Sequence, residues 1–131
     1  MRIFLIDDSS IVRERLESML SELEGIEIVG HAADAFSGID GVRVMKPDVV
    51  ILDIQMPGSA SGIYVLEKIR WQRPAPTIIM LTNYSHPQYR KRCADAGAAF
   101  FFDKSTEFER VPEALKQLVR ASQHRLPDAV E

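Results

Sequence analysis

Four short apolar runs in this chain lead into residues that could do chemistry. Arg2-Ile3-Phe4-Leu5-Ile6 stops at Asp7-Asp8, and Asp48-Val49-Val50-Ile51-Leu52 stops at Asp53. Ile78-Ile79-Met80-Leu81 runs into Thr82, and Phe100-Phe101-Phe102 is followed, one residue further on, by Lys104. If these runs are strands of an open α/β sheet, ligands bind outside their carboxyl ends. Five polar groups then converge on one edge, and three of them are acids. Two carboxylates about 4 Å apart at an effective dielectric of about 20 repel by on the order of 4 kcal/mol, unless a cation or a proton intervenes. That is the chemistry of a hard divalent metal beside an oxygen nucleophile. Magnesium fits it, being commonly held by one or two carboxylates plus phosphate. The plainer alternative is a pair of helix-capping acids and one unrelated acid at a strand end.

The elements that must position these groups alternate strand and helix. After Asp8, Ser9 or Ser10 caps a helix whose apolar positions are Val12, Leu16, Met19, Leu20 and Leu23, at helical spacing. Gly25 suits the left-handed position past its end. A second strand spans 26–29. A weaker helix over 34–45 contains Gly38 and Gly41, each worth roughly 1 kcal/mol against alanine. The third strand, 48–52, leads into a loop over 56–61 and a helix over about 62–72. Val65, Leu66 and Ile69 point inward on that helix, and Trp71 is expected to pack at its end. Pro74 and Pro76 break the chain before a strand at 77–81. A fourth helix starts near Pro87, since proline suits the first helical position, and ends at Ala96-Gly97. The fifth strand covers 99–102. The last helix carries Phe108, Val111, Leu115, Leu118 and Ala121 or Ser122 on one side, with a break or fresh start at Pro112. The strands are continuous apolar runs, which argues for a parallel sheet covered on both faces. Right-handed crossovers make that sheet doubly wound.

At 131 residues one domain is expected, over 1–125, with a frayed tail at 126–131. A net charge of −3 argues against a free-standing nucleic-acid binder, which carries a basic footprint. The single cysteine, Cys93, excludes an internal disulfide and fits a reducing cytoplasm. It is read as a helix residue without chemistry. No apolar stretch approaches the ~18 residues of a membrane helix, and a strand beginning by Ile3 leaves no room for a signal peptide. His31, His86 and His124 show no metal spacing, and none is a good phosphohistidine candidate.

The ordered set of an Asp-Asp pair, a strand-end Asp followed by Met56-Pro57, a Thr and a Lys resembles the receiver domain of bacterial two-component response regulators. Thr82 lies 29 residues after Asp53, and Lys104 lies 22 after Thr82. The resemblance covers nearly the whole chain. The segment from Leu81 to Ser105 is closest to the LuxR- and NarL-type branch, whose members often carry helix-turn-helix output domains; none is expected here. The resemblance implies a CheY-like, flavodoxin-like (βα)5 fold with strand order 2-1-3-4-5. It implies that Asp53 is the phosphoacceptor, that Asp8 binds Mg²⁺ directly and Asp7 mainly through water, and that the backbone carbonyl of Gln55 is a further ligand; Mn²⁺ would substitute. Thr82 would bind one phosphoryl oxygen and Lys104 another. Phe101 would be the aromatic that changes rotamer when Thr82 moves, although core packing between Phe100 and Phe102 is the simpler role. The switch would act on the face of helix four, strand five and helix five. There Arg90, Lys91 and Arg92 form either a solvated helix face or a partner surface. Gln55 and Tyr84 stand where dephosphorylation is tuned, with Tyr84 shielding the phosphoryl group from water. Phosphoryl transfer suits such a site, because it needs positioning and charge stabilisation more than covalent help.

The sequence departs from the family at four points. Nine residues separate Asp53 from Gly62, one more than is common. Ser105 replaces the proline that often follows the lysine. Asn83 stands where alanine is frequent. Tyr84 is the fourth. The expected function is a signalling switch that takes phosphate from a sensor histidine kinase or phosphotransfer protein and contacts an output protein or a second copy. It would be a phosphoacceptor and no enzyme beyond self-phosphorylation and slow self-dephosphorylation, cytoplasmic, and would contact neither nucleic acid nor membrane. A phosphate sink and the excised receiver of a longer DNA-binding regulator are alternatives. An aspartyl-phosphate hydrolase is disfavoured, because Gln55 replaces the acid it needs for proton transfer. A flavin or dinucleotide site would need a glycine-rich loop where Asp7-Asp8-Ser9-Ser10 stands.

Overall fold

Strands buried on both faces must be apolar at every position, and the four central residues of the first and third runs are. In the computed structural model, which describes residues 1–123, they form β1 (Arg2–Ile6) and β3 (Val49–Leu52). With β2 (Glu27–Ala32), β4 (Thr77–Thr82) and β5 (Phe100–Asp103) they make one parallel sheet of order β2-β1-β3-β4-β5. The helices are α1 (Ser10–Leu20), α2 (Ala35–Met45), α3 (Gly62–Ile69), α4 (Pro87–Asp95) and α5 (Arg110–Gln123). The doubly wound architecture expected from the apolar runs is therefore the one observed.

Alternate strand residues feed two cores. Ile3, Leu5, Val49, Ile51, Ile79 and Leu81 pack on one face with Leu16 and Leu20 of α1 and Val111 and Leu115 of α5. Phe4, Ile6, Val50, Leu52, Ile78 and Met80 pack on the other with α2, α3 and Cys93 of α4. The glycines that weaken α2 have a packing reason: a Cβ at Gly41 would overlap the Phe4 ring, and one at Gly38 would meet Ile6. Cys93 is fully buried, and burial pushes its thiol up to about 11, consistent with an inert packing residue.

Caps set the helix starts. Ser9 accepts the Val12 N–H, Asp34 that of Ser37 and Ser61 that of Tyr64. Pro87 opens α4. Two sequence expectations are corrected and a third is met. β2 extends to Ala32 because its backbone keeps pairing with β1 past a register shift between Ile3 and Phe4. α3 ends at Ile69 with Arg70 as its cap, so Trp71 leaves the helix and is 67% exposed instead of packed; the Arg70 guanidinium covers its ring at 4.8 Å. The fresh start expected around Pro112 is observed, and it leaves Phe108 before the helix. α5 begins at Arg110, which puts Pro112 in the first turn, where an N–H has no helical acceptor anyway. The expected tail, 126–131, and His124 lie outside the described residues. Among the described residues no helix is long and apolar enough to cross a membrane.

Candidate functional site

Register brings the strand ends into line. Ile6 pairs with Leu52, so Asp7 and Asp53 each stand one step past a paired residue, and the Asp53 N–H donates to the Ile6 carbonyl at 3.1 Å. Thr82 pairs with Asp103 across β4 and β5, and the Lys104 N–H donates to the Thr82 carbonyl at 2.9 Å. The carboxylates of Asp7, Asp8 and Asp53 lie within 4.8 Å of one another. Asp7 and Asp53 are buried and Asp8 is exposed.

One cation answers the buried acids. Lys104 Nζ lies 2.6 Å from Asp53 Oδ2 and 2.8 Å from Asp7 Oδ2, with its own side chain only 11% exposed. Burial pushes the lysine pKa down, but hydrogen bonds and charge attraction from Asp53 and Asp7 outweigh it, so it lies above its ordinary value. For Asp7 the balance reverses: burial raises its carboxyl above the ordinary range despite Lys104 and the Ser9 N–H, which it accepts at 2.9 Å. One cation against three close acids leaves negative charge to spare. The donors are all carboxylate oxygens, the hard set that Mg²⁺ prefers, so the residues present fit that ion. Asp7 already spends both oxygens on Ser9 and Lys104, whereas Asp8 faces solvent.

The remaining expected residues stand around this core. The Gln55 N–H approaches Asp53 Oδ1 at 3.3 Å. Thr82 is fully buried, and its Oγ1 accepts the Tyr84 N–H at 3.1 Å. Tyr84 is 37% exposed and stacks on Tyr89 of α4 with ring centroids 5.7 Å apart. It lines a groove of about 290 Å³ with Gln55, Met56 and Ile63. Phe101 is half-buried against the α2–α4 core, and the Arg90 guanidinium lies 4.7 Å from its ring centroid. The longer loop after Asp53 tucks in Met56 and Ala60 and closes through a Gly62 N–H to Ile54 carbonyl bond of 2.7 Å. That closure demands glycine, because a Cβ at Gly62 would overlap the Asp53 carbonyl. The only cis peptide among the described residues is Arg73–Pro74, so Lys104–Ser105 is trans.

Sequence reasoning missed several polar residues. Arg13 reaches back from α1 to the Asp7 carbonyl at 2.6 Å. Arg90, read as part of a basic helix face, instead turns inward to Ser85, Phe101 and Glu107; Lys91 pairs with Asp95. Asp103 binds Ser85 and the turn after Lys104. Asp103 two residues before Ser105 is an Asx-turn signal and could have been found.

The model of the response regulator receiver domain matches residues 3–116. The chain is 36% identical over 124 residues to an uncharacterized response regulatory protein of Vibrio cholerae, covering 95% of this chain and 50% of that one. It is 33% identical over 127 residues to a protein-glutamate methylesterase/protein-glutamine glutaminase of Alkalilimnicola ehrlichii, covering 95% of this chain but 32% of that protein. Its structure is similar to that of a LuxR-family two-component response regulator from Aurantimonas sp. SI85-9A1, with a TM-score of 0.83, 28% identity and coverage of 99% and 98% of the two chains. The chain spans 60% or less of the length of the first curated relatives it matches. With that match over most of its length, on a sheet whose strand ends gather three acids and a lysine, the chain belongs to the response regulator receiver domain family.

Proposed function

We propose that Asp53 accepts a phosphoryl group and that its phosphorylation switches the surface formed by α4, β5 and α5. The observation that carries this reading is the buried Asp53 carboxylate, held at 2.6 Å by Lys104 among two further acids. An Asp53 oxygen attacks phosphorus, forming an O–P bond as the bond to the donor breaks, from phosphohistidine of a sensor kinase or phosphotransfer protein or from acetyl phosphate. Lys104 then passes from the carboxylate to a phosphoryl oxygen, and the Thr82 hydroxyl donates to another. Asp8, Asp53 and the Gln55 carbonyl would hold Mg²⁺ directly and Asp7 would hold it through water; Mn²⁺ would substitute. The ion, when bound, neutralises charge that builds on the phosphoryl oxygens. Burial of Asp7 and Lys104 strengthens each of these electrostatic contacts relative to water.

Movement of Thr82 toward phosphate would pull the β4–α4 loop and let the Phe101 ring follow, shifting the population of two receiver states. Tyr84 and Gln55 would set the phosphoryl lifetime. Residues 1–125 form one receiver in this reading, cytoplasmic, with an output protein or a second copy as its target. A second reading, the receiver of a longer regulator, is supported by relatives about twice its length. Intact-mass spectrometry after incubation with acetyl phosphate tests the core of the proposal. A single adduct that requires both Mg²⁺ and Asp53, and is missing in Asp53→Asn, is the expected result. A folded wild type that gains no adduct, or an Asp53→Asn variant that still gains one, would overturn it.

A further inference from the structure

Lys104 must hold its ammonium between two buried acids, yet its side chain is long and flexible, so the anchoring of its backbone decides where the charge sits. The residue after it is Ser105, which lacks the fixed φ of a proline. Hydrogen bonds do that work instead. All five successive N–H groups from 103 to 107 are bound: Asp103 to Glu107 Oε1 at 2.9 Å, Lys104 to the Thr82 carbonyl at 2.9 Å, Ser105 and Thr106 to Asp103 Oδ1 at 2.7 and 3.2 Å, and Glu107 to the Asp103 carbonyl at 2.8 Å. Three of these five bonds end on Asp103. Its other carboxylate oxygen, Oδ2, accepts the Ser85 hydroxyl at 2.5 Å, and Ser85 lies in the loop that follows Thr82. Arg90 of α4 backs this arrangement, donating to the Ser85 carbonyl at 3.2 Å and to Glu107 Oε1 at 3.0 Å. The Ser85 hydroxyl, then the Ser105 N–H, hold the Asp103 carboxyl below its usual range, so it is an ionised acceptor at neutral pH.

We propose that Asp103 is a positioning residue for phosphoryl transfer to Asp53: clasped by Ser85, it fixes the turn that carries Lys104 and ties it to the loop that follows Thr82. The two groups that receive the phosphoryl oxygens are then placed as one unit, by a polar clasp between the end of β5 and the loop after β4. The inference rests on the phosphoacceptor reading above. It extends that reading to two residues that touch neither phosphate nor the acids.

The test measures the initial rate of adduct formation with acetyl phosphate over a Mg²⁺ titration, on protein whose circular dichroism shows it folded. Ser85→Ala removes the clasp and leaves the turn, Ser85→Thr restores a hydroxyl, and Asp103→Asn keeps the turn acceptor but loses the anionic Oδ2. Small misplacements of catalytic groups cost up to about a hundredfold. Ser85→Ala and Asp103→Asn are each expected to react at least about fivefold more slowly, with half-saturating Mg²⁺ unchanged, because Asp7, Asp8 and Asp53 are untouched. Ser85→Thr is expected to recover to within about twofold of wild type. The double variant Ser85→Ala/Asp103→Asn is expected to be no slower than the slower single one, since both cut the same link. A wild-type rate in Ser85→Ala, a parallel shift in the Mg²⁺ requirement, or multiplicative effects in the double variant would overturn the clasp while leaving the phosphoacceptor reading intact. A wild type that forms no adduct would bring down both.

Discussion

At the scale of single residues, the site is governed by an imbalance of charge in a dry place. Asp7 is the residue on which that imbalance falls: burial raises its carboxyl above the ordinary 3.8. A raised folded pKa favours the native state below the unfolded value, and that contribution is lost as pH rises through the folded pKa. At neutral pH the ionised Asp7 is therefore a cost that the fold carries. Asp7→Asn is expected to unfold at higher urea than wild type at pH 7 without Mg²⁺, with the gap closing as the pH is lowered toward and below 3.8. An unchanged gap across that range would show that charge is not the reason. Tyr84 belongs to the same scale. If its ring limits water access to the phosphoryl group, Tyr84→Ala shortens the phosphoryl half-life severalfold by intact mass; an unchanged half-life would sink the idea. Its stacking on Tyr89 links that shield to α4.

At the scale of elements, the loops at the carboxyl edge are fixed by contacts their residue types do not advertise. Gly62 opens α3 against the Asp53 carbonyl with no space for a Cβ. Gly62→Ala forces the α3 start away from the phosphoacceptor, and overpacking of this kind costs about 1–3 kcal/mol. Urea denaturation is expected to show a loss of that order, and phosphorylation of the folded fraction should slow as well. In the β5–α5 turn, Glu107 accepts the Asp103 N–H, then Arg90 and Arg110, which together hold its carboxyl below the ordinary 4.5. A lowered folded pKa gives stability that is present above the unfolded value and is lost as pH falls through the folded one. Glu107→Gln should therefore be less stable than wild type at pH 7 and match it more closely once the pH drops below 4.5. The sign is opposite to that of Asp7, so the two variants measured side by side separate the buried site from the bracket beside it.

At the scale of the molecule, ion binding and global stability are linked because the cluster exists only when β1 and β3 are paired. A ligand that binds the native state alone stabilises it by about 2.7 kcal/mol at a hundredfold excess over Kd. Mg²⁺ is expected to raise the thermal midpoint of wild type by several degrees. Asp8→Asn, at an exposed position, should leave the midpoint without Mg²⁺ nearly unchanged and flatten the response to the ion. A full Mg²⁺ response in Asp8→Asn would remove Asp8 from the ligand set proposed for it.

Much of this protein was determined by sequence alone, and the reason is physical. A central parallel strand has no solvent face, so β1 and β3 had to be apolar runs and could be located within a residue or two. Their ends had to be where Asp7, Asp8 and Asp53 stand, and the alternation of strands and helices leaves few topologies. Tertiary structure decided what depends on distant partners. Trp71 is exposed because the α3 backbone stops at Ile69, which helical spacing of apolar residues does not reveal. Arg90 turns inward because the register of β4 and β5 brings Ser85, Phe101 and Glu107 within its reach. The clasp joins Asp103 at the end of β5 to Ser85, 18 residues away in sequence, and only the pairing of β4 with β5 brings a hydroxyl to that carboxylate.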